Sequence, residues 1–249
     1  MKFINFIVVL LLLSCSSEHS PVPSSQQDNN TNDDDNSAII NILFIGNSLT
    51  IANGGIETHV QNFYNEGNPE VIAYTQSTSI SGASLKEHLM AGLAEGAINS
   101  KEWDYIILQE NGIVATINPE ETLASILEFK ELISSSTHVF LFMTWAYEEQ
   151  PEMTEQLTSV YYEAASLTNY SVIPVGLGWR DFEAENNSIS LLGSDGLHPS
   201  NYGTYFASAM IFNIISNQQV GQIPYNANLT SAEANYIKQA VSEAIATYY

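Results

Sequence analysis

Short apolar runs alternate with longer helical patterns from residue 38 to the end of the chain. The runs are continuous stretches of Ile, Val, Leu and Phe, which is typical of strands that are covered by helices on both faces. We predict strands at 39–45, 71–76, 105–108, 139–143 and 172–175, and helices at 56–66, 85–98, 119–134, 151–167, 201–216 and 231–248. The alternation predicts an α/β fold, a three-layer α/β/α sandwich around a central five-stranded parallel sheet.

The first 15 residues have the character of an export signal. Lys2 precedes an apolar run at 3–13, which is too short to span a bilayer permanently. The sequence Leu-Leu-Ser-Cys at 12–15 resembles a bacterial lipoprotein processing box, which implies cleavage before Cys15 and lipid attachment to its sulfur. An ordinary signal peptide with an incidental cysteine is the alternative. We expect an exported protein that is anchored by lipid to a bacterial membrane, on the periplasmic side or at the cell surface.

Residues 16–37 are rich in Ser, Asn and Asp and almost free of large apolar side chains. Such a segment buries too little apolar area to offset the entropy that ordering costs, so we predict a disordered acidic tether. The folded domain is then expected at 38–249. Cys15 is the only cysteine, which leaves no partner for an intramolecular disulfide.

The formal net charge of −22 narrows the range of partners. A chain with 28 acidic and six basic residues cannot neutralise phosphates, which argues against binding to nucleic acid or to an anionic lipid surface. The only membrane contact we expect is the lipid anchor. Neutral substrates are favoured.

Ser48 is the first residue that suggests chemistry. It follows the first predicted strand and precedes the first helical region, where backbone N–H groups favour developing negative charge. A serine hydroxyl becomes a good nucleophile only when a base removes its proton. The other interpretation is that Ser48 only caps a helix.

His198 is the best candidate for that base. Asp195 lies three residues earlier in a loop that contains glycine and proline, so it can accept a hydrogen bond from one ring nitrogen while the other faces Ser48. Of the other histidines, one lies in the tether, two lie inside helical patterns and one immediately precedes a strand. Alternatively, Asp195 forms an Asx turn that caps the following helix, and His198 lies on the surface.

These blocks together resemble the SGNH hydrolases, also called the GDSL lipase/esterase superfamily. The resemblance rests on Gly-Asn-Ser-Leu at 46–49, Ser-Gly-Ala-Ser at 81–84 and Asp-Gly-Leu-His-Pro at 195–199, and it extends from residue 39 to about 217. It implies the flavodoxin-like SGNH fold, with Ser48 as nucleophile, His198 as base and Asp195 as the acid that orients it. It also implies that the N–H groups of Ser48 and Gly82 form part of the oxyanion hole.

Two positions depart from the family pattern. Asn47 replaces the usual aspartate before the serine, which should affect only hydrogen bonds in the loop. The usual Gly-x-Asn-Asp block, whose asparagine is the third oxyanion donor, is replaced by Leu-Gln-Glu-Asn-Gly at 108–112. We expect Gln109 to be that donor, as in a poorly characterised subgroup of the family, with Asn111 as the alternative. Both amides could instead satisfy backbone groups at the strand end.

Residues near the ends of the third, fourth and fifth strands are candidates for the substrate cleft. Trp145, in the segment 144–147, and Trp179, in the segment 178–181, are expected to line it because aromatic faces suit sugar rings and acyl chains. Glu110 is expected beside the site, where it would raise the pKa of the base or bind a substrate hydroxyl.

The resemblance therefore predicts a serine esterase that acts on carboxylic ester bonds. We expect short acyl groups, above all acetyl, on small esters or on acylated glycans or cell-envelope polymers, with no metal and no organic cofactor. Two alternatives remain open: an O-acyltransferase, in which a sugar hydroxyl replaces water, and a glycan-binding lipoprotein on a catalytically silent SGNH fold.

Overall fold

The computed structural model describes residues 38–185 and 188–249. Its strands are β1 (Ala38–Gly46), β2 (Val71–Ser79), β3 (Tyr105–Leu108), β4 (His138–Phe142) and β5 (Ser171–Ile173). They form one parallel sheet in the order β2-β1-β3-β4-β5. The predictions for residues 1–37, including the signal peptide, Cys15 and the tether, lie outside the described residues.

Helices connect the strands and cover both faces of the sheet. They are α1 (Ser48–Ile51), α2 (Ile56–Gly67), α3 (Leu85–Ala91), α4 (Leu93–Ile98), α5 (Gly112–Ile117), α6 (Pro119–Leu132), α7 (Met153–Thr168), α8 (Val175–Glu185), α9 (Asn201–Ser216) and α10 (Ser231–Tyr248). No helix within 38–185 or 188–249 is long and apolar enough to cross a membrane.

Side chains of β1 alternate between two apolar layers. Ile42 and Phe44 pack among α2, α8, α9 and α10, whereas Leu43 and Ile45 pack among α3 to α7. All four are almost completely buried, and truncating a residue such as Phe44 to alanine would cost about 3–5 kcal/mol. The predicted three-layer α/β/α class is therefore confirmed.

The helix boundaries differ from the prediction in several places. The helix predicted at 85–98 is divided by Gly92, whose φ of +68° ends α3 in the left-handed conformation. The fifth strand ends at Ile173, two residues earlier than predicted, and α8 begins at Val175. Helices α1, α5 and α8 were not predicted; α1 and α5 have only four and six residues, which are too few to show a helical period.

The register of the sheet places the carboxyl ends of the strands at one edge. Gly46 of β1 is opposite Ser79 of β2, and Ile45 is opposite Leu108, the last residue of β3. The loops that follow these strands therefore meet, and in open α/β sheets this edge is where ligands bind.

Candidate active site

The loop after β1 fixes the position of Ser48. Asn47 caps α1, because its side-chain oxygen accepts the N–H of Leu49 at 3.1 Å, and its Nδ2 donates to the carbonyl of Ala83 at 3.0 Å. Gly46 is required for close packing, because an added Cβ would lie 2.5 Å from Thr50 Oγ1. Ser48 thus begins a helix, and its N–H belongs to the first turn, where no intrahelical acceptor is available.

A tight loop before α9 carries the other two candidate residues. Asp195 Oδ1 accepts the N–H groups of Leu197 at 3.0 Å and His198 at 2.9 Å. Gly196 takes a φ of +65°, a conformation that favours glycine, and its N–H donates to the carbonyl of Gly193 at 3.0 Å. Asp195 therefore forms an Asx turn that holds Asp195 and His198 in one loop, but the turn does not cap the following helix, because the N-cap of α9 is Ser200.

Ser48, His198 and Asp195 form a continuous hydrogen-bonded chain. Ser48 Oγ lies 2.9 Å from His198 Nε2, and His198 Nδ1 lies 2.7 Å from Asp195 Oδ2. When Nδ1 carries the proton and donates it to Asp195, Nε2 is left to accept the serine hydroxyl. The hydrogen bond from the His198 ring, with those from the backbone N–H groups of His198 and Leu197, lowers the pKa of Asp195 to about 2. Asp195 is therefore ionised at neutral pH.

Asn53 and Trp145 both bind the loop that carries His198. Asn53 was not singled out from the sequence, and Trp145 was expected in the substrate cleft. Asn53 donates through Nδ2 to the carbonyl of Pro199 at 2.8 Å and to Thr204 Oγ1 at 2.9 Å. Trp145 Nε1 donates to the carbonyl of Leu197 at 3.0 Å. Asn53 has a φ of +53°, which asparagine tolerates better than most residues, but no sequence signal separates it from an ordinary turn residue.

Two hydrogen-bond donors from neighbouring loops line the cavity that contains Ser48. Gly82, at a φ of +73°, and Asn111, at the N-terminus of α5, line the same cavity as Ser48 and His198. Asn111 Nδ2 donates one hydrogen to the carbonyl of Gly82 at 2.7 Å, which leaves its second hydrogen available. Within the described parts of the chain, no acceptor takes the N–H of Gly82.

Gln109 does not lie where the sequence suggested. Its side chain is only 1 % exposed; Oε1 accepts the N–H of Asn47 and the hydroxyl of Thr50, both at 2.9 Å, and Nε2 donates to the carbonyl of Glu110. It therefore satisfies backbone and side-chain groups beneath the serine loop and is not among the residues that line the cavity. The geometry favours the alternative donor, Asn111.

The three residues expected in the substrate cleft are buried instead. Glu110 is completely buried, and its Oε1 accepts the N–H groups of Leu85 at 3.0 Å and Asn111 at 2.6 Å. Trp145 and Trp179 stack on each other in the apolar layer, with ring centroids 4.0 Å apart. None of the three lines the cavity of Ser48, although Trp179 borders a neighbouring one. Large apolar rings gain more from the core than from the rim.

The cavity beside Ser48 has a volume of about 340 Å³ and mainly apolar walls. Tyr147, from the segment 144–147 that was considered for the cleft, is half-buried and forms part of its wall. Burial raises the pKa of the Tyr147 phenol, which therefore stays protonated at neutral pH. The other residues of the wall are Asn47, Ser48, Leu49, Gly82, Asn111, Gly112, Ile113, Val114, Leu197 and His198.

A second cavity of about 340 Å³ lies next to the first and shares Tyr147 with it. Its walls include Glu148, Glu183 and Ser190, together with Arg180, which is already paired with Glu155 and Asp181. Among the described residues, no group of three or more His, Cys, Asp or Glu side chains is arranged to hold a metal ion.

Comparisons with known proteins identify the fold and leave the activity open. No family model matches the chain, and no curated protein gives a significant match. A DUF4886 family protein from Bacteroides uniformis shares 20% sequence identity at a TM-score of 0.72, over 84% of this chain and 95% of that one. A candidate SGNH hydrolase from Slackia heliotrinireducens shares 22% at a TM-score of 0.61, over 71% and 99%.

The acetylxylan esterase Axe2 from Geobacillus stearothermophilus is a third neighbour. It shares 17% identity at a TM-score of 0.55, over 78% of this chain and 99% of its own. At such identities the likeness is one of fold. The chain has the α/β fold of the SGNH hydrolases.

Proposed function

We propose that this protein is a serine esterase that releases short acyl groups, above all acetyl, from neutral hydroxylated substrates such as acylated glycans. The observation that carries the proposal is the chain of hydrogen bonds from Ser48 through His198 to Asp195 at the mouth of a small cavity. A buried or structural serine would not need a histidine whose second nitrogen is fixed by a carboxylate.

The proposed reaction begins when His198 Nε2 takes the proton of Ser48 as Oγ attacks the ester carbonyl. The carbonyl oxygen becomes an oxyanion, which the N–H groups of Ser48 and Gly82 and the side chain of Asn111 stabilise. His198 then gives its proton to the departing alcohol, and an acyl-enzyme remains. Water, deprotonated by His198, attacks that ester, and the acid leaves as His198 returns the proton to Ser48 Oγ.

The arrangement of the cavities supports an ester with an acyl part and a hydroxylated alcohol part. The cavity beside Ser48 has mainly apolar walls, and Tyr147 lines both this cavity and the second one. We assign the acyl group to the first cavity and the alcohol part of the ester to the second, whose carboxylates and hydroxyls suit the hydroxyl groups of a sugar. Since Arg180 is already paired, the described residues of the second cavity offer no free cation to an anionic substrate.

The cellular setting is part of the proposal. With Cys15 lipidated, the enzyme would act outside the cytoplasm, from a tether at residues 16–37. Glycans and cell-envelope polymers that carry acetyl esters are then the nearest substrates. This step rests on the sequence of the N-terminal segment alone.

Hydrolysis of p-nitrophenyl acetate, butyrate and octanoate by the parent protein, Ser48→Ala and His198→Ala tests the proposal. We expect the parent to prefer acetate and each variant to lose activity by about 10³-fold or more. A fluorophosphonate probe should label the parent and not Ser48→Ala. Equal rates in all three proteins would disprove the mechanism, and absent labelling with saturable glycan binding that survives Ser48→Ala would favour a binding protein.

A further inference from the structure

Glu110 is a buried carboxylate that the proposed reaction does not use directly. It follows Gln109 at the end of β3 and is completely buried. Its Oε1 accepts two backbone N–H groups, from Leu85 at 3.0 Å and from Asn111 at 2.6 Å. Among the described residues, its Oε2 has no hydrogen-bond partner and no cation is paired with it.

The two N–H groups belong to the two loops that carry oxyanion donors. Leu85 is the first residue of α3, directly after the loop that contains Gly82. Asn111 caps α5 and also donates through Nδ2 to the carbonyl of Gly82. Hydrogen bonds therefore connect the Gly82 loop to Asn111, Asn111 to Glu110, and Glu110 to the start of α3, which directly follows the Gly82 loop.

We propose that Glu110 is a positioning residue that sets the distance between the Gly82 N–H and the Asn111 side chain, and so shapes the oxyanion hole. This inference rests on the proposed esterase function. The carboxylate contacts neither the cavity nor the substrate, so it acts through the two backbone groups that it binds.

A carboxylate suits this position because an ionised acceptor makes shorter and stronger hydrogen bonds than a neutral one. Burying an unpaired charge is costly, however, and a residue needed only to fill space would be apolar. The cost is visible in the pKa of Glu110, which burial raises to about 7.

Three titratable groups surround Glu110. Glu87 of α3 and Glu121 of α6 add negative charge that favours its protonation, and the phenol of Tyr161 of α7 accepts the Glu110 backbone N–H at 3.2 Å. Lys86 is the nearby cation and pairs with Glu121 at 2.9 Å. Near neutral pH, protonation of Glu110 should therefore weaken its hold on Leu85 and Asn111.

The test compares the parent with Glu110→Gln, which keeps one oxygen in place and removes the charge. Glu121→Gln is the matched control, because the charge that it removes is paired with the side chain of Lys86 and binds no backbone group of either donor loop. Hydrogen exchange is followed by mass spectrometry in segments 81–85 and 110–114, and kcat and KM for p-nitrophenyl acetate are measured from pH 5 to 9.

In Glu110→Gln we expect faster exchange confined to those two segments, together with a kcat reduced by about 10- to 100-fold and a KM within about twofold of the parent. On the acid side of its kcat–pH profile, the ionisation of Glu110 should be absent and the ionisation of the base, His198, should remain. Glu121→Gln should exchange no faster than the parent in these segments and should keep the parent kcat above neutral pH, while its acid limb moves to lower pH because the Glu121 charge no longer raises the pKa of Glu110.

Unchanged exchange in both segments would overturn the inference, and so would faster exchange with kcat and pH profile unaltered. Exchange is measured without a substrate, so the two proposals can fail separately. If the parent hydrolyses no ester while Glu110→Gln still loosens both segments, the esterase assignment fails and the positioning of the two loops by Glu110 stands.

Discussion

Asp195 binds two different groups of His198. Its Oδ2 lies 2.7 Å from the ring Nδ1 of His198, and its Oδ1 accepts the backbone N–H of His198 at 2.9 Å. The carboxylate therefore fixes the position of the residue and the orientation of the imidazole. In a loop of this kind, the acid and the base cannot move independently.

Asp195→Asn tests this coupling. Asparagine keeps an oxygen for the backbone N–H groups, but its amide would favour the tautomer with the proton on Nε2, which cannot accept from Ser48. We expect kcat to fall on the order of 10³- to 10⁴-fold with the fold retained. Steady-state kinetics and circular dichroism check this, and a loss below tenfold would count against the assigned role.

The low pKa of Asp195 leads to a second expectation for this residue, which concerns the pH dependence of activity. A depressed carboxyl pKa means that the ionised form is favoured in the folded state, and that this stabilisation is lost progressively as the pH falls from the ordinary pKa of 3.8 through about 2. Asp195 should therefore contribute no ionisation to the activity profile above pH 4. A parent profile measured between pH 4 and 9 should show acid-limb ionisations of other groups only.

Asn111→Asp separates the two functions assigned to Asn111, which are to donate a hydrogen bond to the oxyanion and to cap α5. The aspartate keeps an oxygen to cap α5, where Asn111 Oδ1 accepts the N–H groups of Ile113 and Val114, but it loses the amide hydrogens and adds a charge. We expect kcat to fall by about 100-fold or more, as for the removal of an oxyanion donor. A variant that is folded and fully active would show that Asn111 only caps the helix.

Gln109→Ala should act on stability more than on chemistry. The substitution leaves the buried N–H of Asn47 and the hydroxyl of Thr50 without an acceptor. We expect the free energy of unfolding to fall by about 2–4 kcal/mol, measured by urea denaturation. At temperatures where the variant is folded, its kcat should decline less than that of Asn111→Asp; a larger decline would restore Gln109 as the donor.

Tyr147 should set the acyl-length preference. Tyr147→Ala opens the wall between the two cavities, so we expect the rate ratio of octanoate to acetate to rise by about tenfold. Tyr147→Phe keeps the ring and should leave the ratio unchanged. If both variants keep the parent ratio, the acyl group does not bind against Tyr147.

The pH dependence of stability should reveal the burial of Glu110. Its pKa in the folded protein is about 7, above the ordinary value of 4.5, so the folded state holds a proton that the unfolded state has lost between these values. The parent should therefore lose stability as the pH rises from about 4.5 to 7. Melting temperatures of the parent should fall more steeply over this range than those of Glu110→Gln, and parallel curves would contradict the prediction.

The sheet could be predicted from sequence because strands buried on both faces are long apolar runs. All five predicted strands are present, with ends displaced by no more than a few residues. The close approach of Ser48 to His198 was predictable from the Ser-His-Asp pattern and the family resemblance rather than from the sheet, because the loop that carries His198 follows helix α8 and not a strand. The division of the predicted helix 85–98 at Gly92 could not be predicted, because it depends on the φ angle of Gly92, which the helical pattern of the sequence does not show.

The side chains around the serine were harder to place. Gln109 and Asn111 carry the same amide group, and only burial distinguishes the one beneath the loop from the one in the cavity. The spacing of these residues already favoured Asn111. In the Gly-x-Asn-Asp pattern the asparagine lies two residues after the glycine, and Asn111 lies two residues after Gln109. Trp145 was expected in the substrate cleft because the sequence shows its position after a strand and not the direction of its ring.

The stacked pair of Trp145 and Trp179 gives the protein an internal optical probe. Two indoles in parallel contact couple their electronic transitions, and Trp145 also binds the carbonyl that immediately precedes His198. The third tryptophan, Trp103, lies in the opposite apolar layer. Near-ultraviolet dichroism should therefore report on the histidine loop without any label, and could follow its movement while an acyl group is attached and released.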